Sequence, residues 1–206
     1  MNLIQLRIML DASPEQASRL VALQAAFGQV CNALAPMVQR SRVWNRVALH
    51  HMAYKTLREQ FPAMGSQMVC DAIYSVSRHS RAAFQHPQSP FNLTKLGERP
   101  LPLLRFSDVC PVYFDRHTLS LKDGQLSMYT LDGRMRFKLD LKPQDEANFH
   151  EKKLREIVLT RTPDGVFSLQ FSFSEQDDGG SAAEADDNNQ GELPEYVMVE
   201  EMNESA

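Results

Sequence analysis

Residues 117–139 read HTLSLKDGQLSMYTLDGRMRFKL, and in this stretch Asp123-Gly124 and Asp132-Gly133 each sit between runs of alternating apolar and polar residues. Alternation of period two marks a half-buried strand. An Asp-Gly pair between two such runs marks a tight hairpin, because both residues tolerate the positive φ that the turn requires. The stretch therefore predicts three antiparallel strands in succession. In the last of them Met135, Phe137 and Leu139 point one way, so Arg134, Arg136 and Lys138 share the opposite face.

Working outward, EKKLREIVLTRTPDGVFSLQFSFS (151–174) predicts another hairpin turning at Pro163-Asp164-Gly165, and VCPVYF (109–114) one more strand. NLIQLRIML (2–10) also alternates. Alone it could not bury its apolar face, so it is expected to pair into the later sheet. Between these strands the period changes from 2 to 3.6. Ser13, Pro14 and Gln16 form a capping box that opens a helix continued by Leu20, Leu23, Phe27, Val30, Cys31 and Leu34. Pro36 is expected to end or kink it, having no N–H to donate. A second helix is predicted over 43–60, burying Val47, Tyr54 and Leu57. A third is predicted over 66–84, with Met68, Val69, Ala72, Ile73, Val76, Ala83 and Phe84 as its apolar stripe. These two helices are expected to expose Arg46, Lys55, Arg58, Arg78 and Arg81. Residues 85–104 carry Pro87, Pro90, Gly97, Pro100 and Pro102 and read as a connector.

The formal charge of −4 is an average over two unlike segments. From Ser174 onward there are 11 acidic residues and no Lys or Arg, which leaves 15 acidic against 22 basic residues, or +7, for the rest. A basic body suits a polyanion. The low apolar content of 175–206 predicts a disordered acidic tail.

No spacing in the chain assembles a reaction centre. His50 and His51 are adjacent and on a helix would diverge by about 100 degrees, so they cannot clasp one metal ion. Asp123, Asp132 and Asp164 stand in turns, where Asp serves backbone geometry. Gly-rich phosphate loops, GxSxG elbows and HExxH pairs are missing from the sequence. Cys31, Cys70 and Cys110 are too widely spaced for a zinc ribbon and read as small buried hydrophobes. No cofactor, no metal and no enzymatic activity is expected. With no signal peptide and no continuous apolar span, the expected location is cytoplasmic, without a membrane partner.

The order of these pieces resembles the N-terminal half of TnpB-type transposon-encoded RNA-guided nucleases and the related compact type V CRISPR effectors. The resemblance rests on LRIMLDASPEQASRLVALQAAFGQVCNAL, on LHHMAYKTLREQFPAMGSQMVCDAIYSVSRHSRAAF, on LRFSDVCPVYFDRHTLSLKDGQLSMYTLDGRMRFKL and on REIVLTRTPDGVFSLQFSFS, and covers residues 3–173. It implies an α+β chain in which an antiparallel, OB-like β-barrel, the wedge domain, comprises 1–12 and 101–174. A helical recognition domain, 13–86, is inserted after the first strand, and 87–100 is a proline-rich connector. In place of the family's RuvC domain, whose three carboxylates hold two metal ions, the sequence enters the acidic segment 175–206.

The resemblance further implies a nuclease-less module that binds a structured guide RNA and supports RNA-guided binding of double-stranded target DNA. Lys and Arg of the barrel, with Arg105, Arg116, Lys122, Arg134, Arg136 and Lys138 as candidates, would meet phosphates. Tyr54, Lys55, Ser66, Gln67, Ser75 and Arg78 of the helical part would approach the target duplex, with Gln67 and Arg78 foremost, and Arg58 and Arg81 are further nucleic-acid-binding candidates there. An alternative makes the chain the non-catalytic subunit of a split nuclease whose RuvC half is a separate chain docked on the acidic tail or on YVMVEEM. A third makes it an interaction protein that binds no RNA.

Overall fold

In the computed structural model, which describes residues 3–175 and 193–201, strand β1 (Ile4–Met9) is followed by helices α1 (Pro14–Ser41), α2 (Arg46–Gln60), α3 (Ser66–Phe84) and the single turn α4 (Leu93–Leu96). Strands β2 (Leu103–Phe106), β3 (Val112–Phe114), β4 (Leu119–Lys122), β5 (Gln125–Thr130) and β6 (Gly133–Lys138) come next. Helix α5 (Pro143–Glu151), β7 (Lys153–Arg161), β8 (Phe167–Ser174) and β9 (Val197–Glu200) complete the order. The described residues form two compact units, 3–23 with 111–175 and 24–110 with 193–201.

In the first unit the fold follows from its turns and its alternation. Asp123 and Gly124 both take positive φ, 50° and 71°, and join β4 to β5. A Cβ at position 124 would lie 2.9 Å from the carbonyl oxygen of Leu139, so only glycine fits. β5 then pairs with β6, and β4-β5-β6 is a three-stranded antiparallel sheet. The second sheet has the order β1-β8-β7-β3. The first strand does pair with the last of this hairpin, from Ile4 opposite Phe173 to Met9 opposite Ser168. Ile157, Leu159, Phe167, Leu169, Phe171 and Phe173 are buried along β7 and β8. Phe149 of α5 stands edge-on to Phe171 and Phe173 at 5.0 and 4.9 Å. Each such side chain withdrawn from water contributes about 1.5–3 kcal/mol.

The expected barrel is corrected: the strands form separate antiparallel sheets, none of them closed. Closure needs an unbroken ladder around the ring. Here β4, β6, β1 and β3 are all edges, and β2 pairs with β9 in the other unit. The strand expected over 109–114 is only Val112–Phe114, since Pro111 cannot donate to a ladder. Helix α5 was not foreseen, although Pro143 at its first turn, followed by Asp145 and Glu146, is an opening signal.

Helix α1 belongs to both units: the Ser13–Gln16 capping box starts it in the first as expected, at 3.0 and 3.2 Å, and in the second it runs through Pro36 to Ser41. Losing one backbone bond costs about 3 kcal/mol. Burial of Leu34, Ala35 and Val38 around that point offsets it. Among the described helices only α1 has the length and hydropathy of a membrane span, with half of that window buried. Helix α2 starts at Arg46, not at 43, because the Asn45 side chain accepts from the N–H groups of Val47 and Ala48. It buries Leu49, Ala53 and Leu57, while the expected core residue Val47 is 63% exposed and Tyr54 half-buried. The apolar stripe expected for α3 is buried throughout.

Polar residues of α1 hold the segment before β3. Asn32 pairs with both backbone groups of Phe106, accepting from its N–H at 2.7 Å and donating to its carbonyl at 2.8 Å, as a neighbouring strand would. Gln24 donates to the carbonyl of Cys110 and Gln39 to that of Leu101. One turn after Gln24, Gly28 lets Ser107 approach, since a Cβ there would lie 2.9 Å from the Ser107 carbonyl oxygen.

The expectation of a structureless tail is corrected over 193–201. β9 pairs antiparallel with β2 from Val197 opposite Phe106 to Glu200 opposite Leu103. Val197 is buried, and the Tyr196 hydroxyl lies 3.1 Å from His79 Nε2. His79 Nδ1 donates to the Ser75 carbonyl at 2.7 Å, which leaves Nε2 to accept from that hydroxyl. The remainder of the tail lies outside the described residues.

Candidate nucleic-acid interface

Pairing within β4-β5-β6 turns the alternation of one strand into a surface. Lys138 faces Gln125, Arg136 faces Ser127 and Arg134 faces Tyr129 across β5-β6, while Lys122 faces Gln125 and Ser120 faces Ser127 across β4-β5. Leu119, Leu126, Met128, Met135 and Phe137 take the other side and are buried. The solvent side carries four cations, hydroxyls and one amide, and none of these rows contains a carboxylate. Neighbouring strands lie about 4.8 Å apart and alternate residues along a strand about 6.8 Å apart.

Two kinds of cation occupy this face. Arg134 is fastened to its own sheet: Nε donates to Ser127 Oγ at 2.8 Å, Nη2 to the Ser127 carbonyl at 2.9 Å, and Nη1 to the His117 carbonyl at 3.4 Å. The side chains of Arg136, Lys138 and Lys122 are exposed and make no ion pair among the described residues. Arg116 is exposed in the turn between β3 and β4. Arg19 of α1 steadies the β5-β6 turn, donating to Thr130 Oγ1 at 2.7 Å and lying 4.0 Å from the Asp132 carboxylate.

The expected residues of the second unit are differently placed. On α2, Lys55 is exposed and Tyr54 stacks on His50, with ring centroids 4.6 Å apart. Arg58 is committed to the α2-α3 turn, where it donates to the Met64 carbonyl. On α3, Ser66 is exposed at the first turn and Gln67 is half-buried. Gly65 is the residue preceding that helix. Ser75 is buried 3.5 Å from His79 and cannot approach a base edge. Arg78 is half-buried with Nη1 3.4 Å from the Tyr74 hydroxyl. Burial and the neighbouring Arg78 pull the Arg81 guanidinium below its ordinary value, against an opposing pull from Tyr74. On β2, Arg105 is held at 3.0 Å by Glu200 of β9.

Deeper in this unit, burial raises the Cys31 thiol well above its ordinary value, with Cys110 nearby adding to the rise, and pushes Cys110 up to about 12. Both thiols are buried and unbridged, as the sequence suggested, whereas Cys70, expected to be buried with them, is half-buried.

The structure thus gathers Lys122, Arg134, Arg136 and Lys138 on one sheet face. Sequence reasoning missed their neutral partners Ser120, Gln125, Ser127 and Tyr129. A two-residue turn at Asp123-Gly124 fixes the β4-β5 register, so counting outward from that turn would have found the β4-β5 rows. Among the described residues, no cluster of three or more His, Cys, Asp and Glu side chains is placed to hold a metal ion. No family model and no curated protein matches the chain.

Proposed function

We propose that this chain is an RNA-binding module that holds a structured guide RNA on the β4-β5-β6 face, and that the RNA directs it by base pairing to double-stranded DNA. The observation that carries the reading is the face itself: Lys122, Arg134, Arg136 and Lys138 lie on one exposed, carboxylate-free grid. Phosphate contacts of this kind supply affinity through counterion release and orient the RNA, while base pairing supplies the sequence. The ordered resemblance described above supports RNA over other polyanions. Strand cleavage has no part in the proposal. Of the helical residues expected to approach the DNA duplex, Lys55 and Ser66 are the exposed ones.

The test is to sequence RNA co-purifying with the full chain and to titrate the most abundant species by fluorescence anisotropy at several salt concentrations. Replacing Arg134, Arg136 and Lys138 together by Gln should weaken binding and reduce the salt slope by about 2, at 0.7–0.9 per lost contact. Unchanged affinity and slope would show the face to be ordinary solvated surface. Stoichiometric recovery of a nuclease chain would point to the split-nuclease arrangement instead.

A further inference from the structure

The first unit contains a cleft of about 400 Å³ between the free edges of β1 and β6, lined among the described residues by Ile8, Met9, Asp11, Gln16 and the segment 136–141. Its walls are of three kinds. Phe137, Leu139, Leu141 and the 54% exposed Met9 are apolar. Arg136 and Lys138 are cations shared with the basic face. Asp11 and Asp140 are exposed carboxylates. None of these four charged side chains makes an ion pair among the described residues, although two of each sign surround one small space. Opposite charges that neither meet nor neutralise each other remain available to a ligand that needs both.

The backbone adds polar groups of its own. Leu139 N–H donates to the Gly124 carbonyl, so by antiparallel alternation the N–H and C=O groups of Arg136 and Lys138 point away from β5 toward the open edge. The Arg136 carbonyl confirms that direction, accepting from Gln16 Nε2 at 3.3 Å. The backbone groups of Lys138 extend this edge beside the cleft.

We infer that this cleft receives one unpaired guanine nucleotide of the RNA, its phosphate on Arg136 and Lys138, its ring against Met9 and Phe137, and its N1–H and N2–H₂ donors on a carboxylate of Asp11 or Asp140. The inference rests on the proposed binding of RNA by the adjoining face. Volume admits a nucleotide and excludes a duplex, being near the lower end of the roughly 300–1,000 Å³ common to small-ligand sites. Chemistry selects the base, because guanine alone among the four presents two adjacent donors on its pairing edge, matching the two oxygens of one carboxylate. Single-stranded RNA is commonly recognised in this way, by an unstacked base laid on apolar side chains and read along its edge.

The experiment measures binding of the full chain to four RNAs, UUUGUUU, UUUAUUU, UUUCUUU and UUUUUUU, by anisotropy at one low salt concentration. The expected result is a preference for the guanine oligonucleotide on the order of tenfold, the discrimination that one bidentate contact provides. Asp11→Asn with Asp140→Asn should abolish that preference while leaving binding of the all-uridine RNA within about twofold and the salt slope unchanged. Arg134→Gln, outside the cleft, should weaken all four RNAs alike. If the four bind equally while Arg134→Gln still weakens them, the cleft inference is overturned and the basic face stands. If Arg134→Gln has no effect and no RNA is preferred, both readings fall.

Discussion

The β4-β5-β6 sheet and helix α3 carry similar sets of residues, cations interspersed with hydroxyls and amides, and the molecule treats them in opposite ways. On β6 each cation alternates with a buried Met135 or Phe137 and is therefore forced outward. Helix α3 is surrounded, with Asp71, Ser75, Ser77, His79 and Ser80 all buried beside its apolar stripe. Its polar atoms serve internal bonds, such as Ser77 Oγ to the Trp44 carbonyl at 2.6 Å. A period of two has only two faces, and filling one exposes the other. A helix can be covered on every side, so polar residues at helical spacing do not by themselves define a surface.

A lysine introduced on α3 gives the largest effect. Ser80→Lys puts a cation at a position with 0% exposure and should destabilise the fold by about 3–5 kcal/mol, lowering the urea midpoint at an unchanged slope. Wild-type stability for this variant would show that α3 has an open side after all. Next in size is the tail strand. Ending the chain at Glu175 removes Val197 from the core, Tyr196 from His79 and four residues of ladder from β2. A loss of about 2–4 kcal/mol is expected, read as a lower melting temperature. An unaltered melting curve would reduce β9 to a surface attachment.

Titration separates the regions along another axis. A thiol whose native pKa is raised stays protonated in the folded state while the unfolded chain ionises. The stability associated with Cys110 should thus be intact below about pH 8.5–9 and decline as pH rises toward about 12, by about 1.4 kcal/mol per pH unit for each such thiol. Cys31, raised in the same direction, adds to the slope. Chemical denaturation of the Cys31→Ala, Cys110→Ala variant between pH 8 and 10.5 should give a flatter profile than the parent. Equal profiles would mean that the thiols ionise freely.

The smallest effects concern binding. Gln125→Lys, on the sheet, should cost less than about 1 kcal/mol of stability and tighten RNA binding a few-fold, since it adds a cation between Lys122 and Lys138. Arg78→Gln, on α3, should leave RNA affinity within about twofold of the parent. A larger loss for Arg78→Gln than for Arg136→Gln would reverse the contrast between the two regions.

Much of the fold was legible because short-range rules governed it. Asp123-Gly124 fixed a hairpin, Ser13 and Gln16 opened a helix, and the alternation in 133–138 settled which side chains would be wet. Helix α5 was missed because its few apolar residues are too sparse to show a period, although Pro143 with Asp145 and Glu146 marked its start. The tail strand was missed because VMVE is four residues in an acidic context. Its stability comes from β2, some ninety residues earlier in the chain. Val47 was assigned to the core on spacing alone, whereas the Asn45 cap set the start of α2 and Leu49, Ala53 and Leu57 faced inward.

By itself the sequence determined what local geometry determines: most of the strands and the long helices, the Asp123-Gly124 turn, and the shared face of Arg134, Arg136 and Lys138. Tertiary structure alone decided the rest. It left all three sheets open, buried α3 on nearly all sides, spent Arg58 and Arg105 on neighbours within the fold, and brought Asp11 and Asp140 to the same cleft as Arg136 and Lys138. The physical reason is range. Turn and alternation preferences act within a few residues, whereas burial and strand-edge pairing depend on which distant segment arrives, and a linear pattern does not contain that arrival.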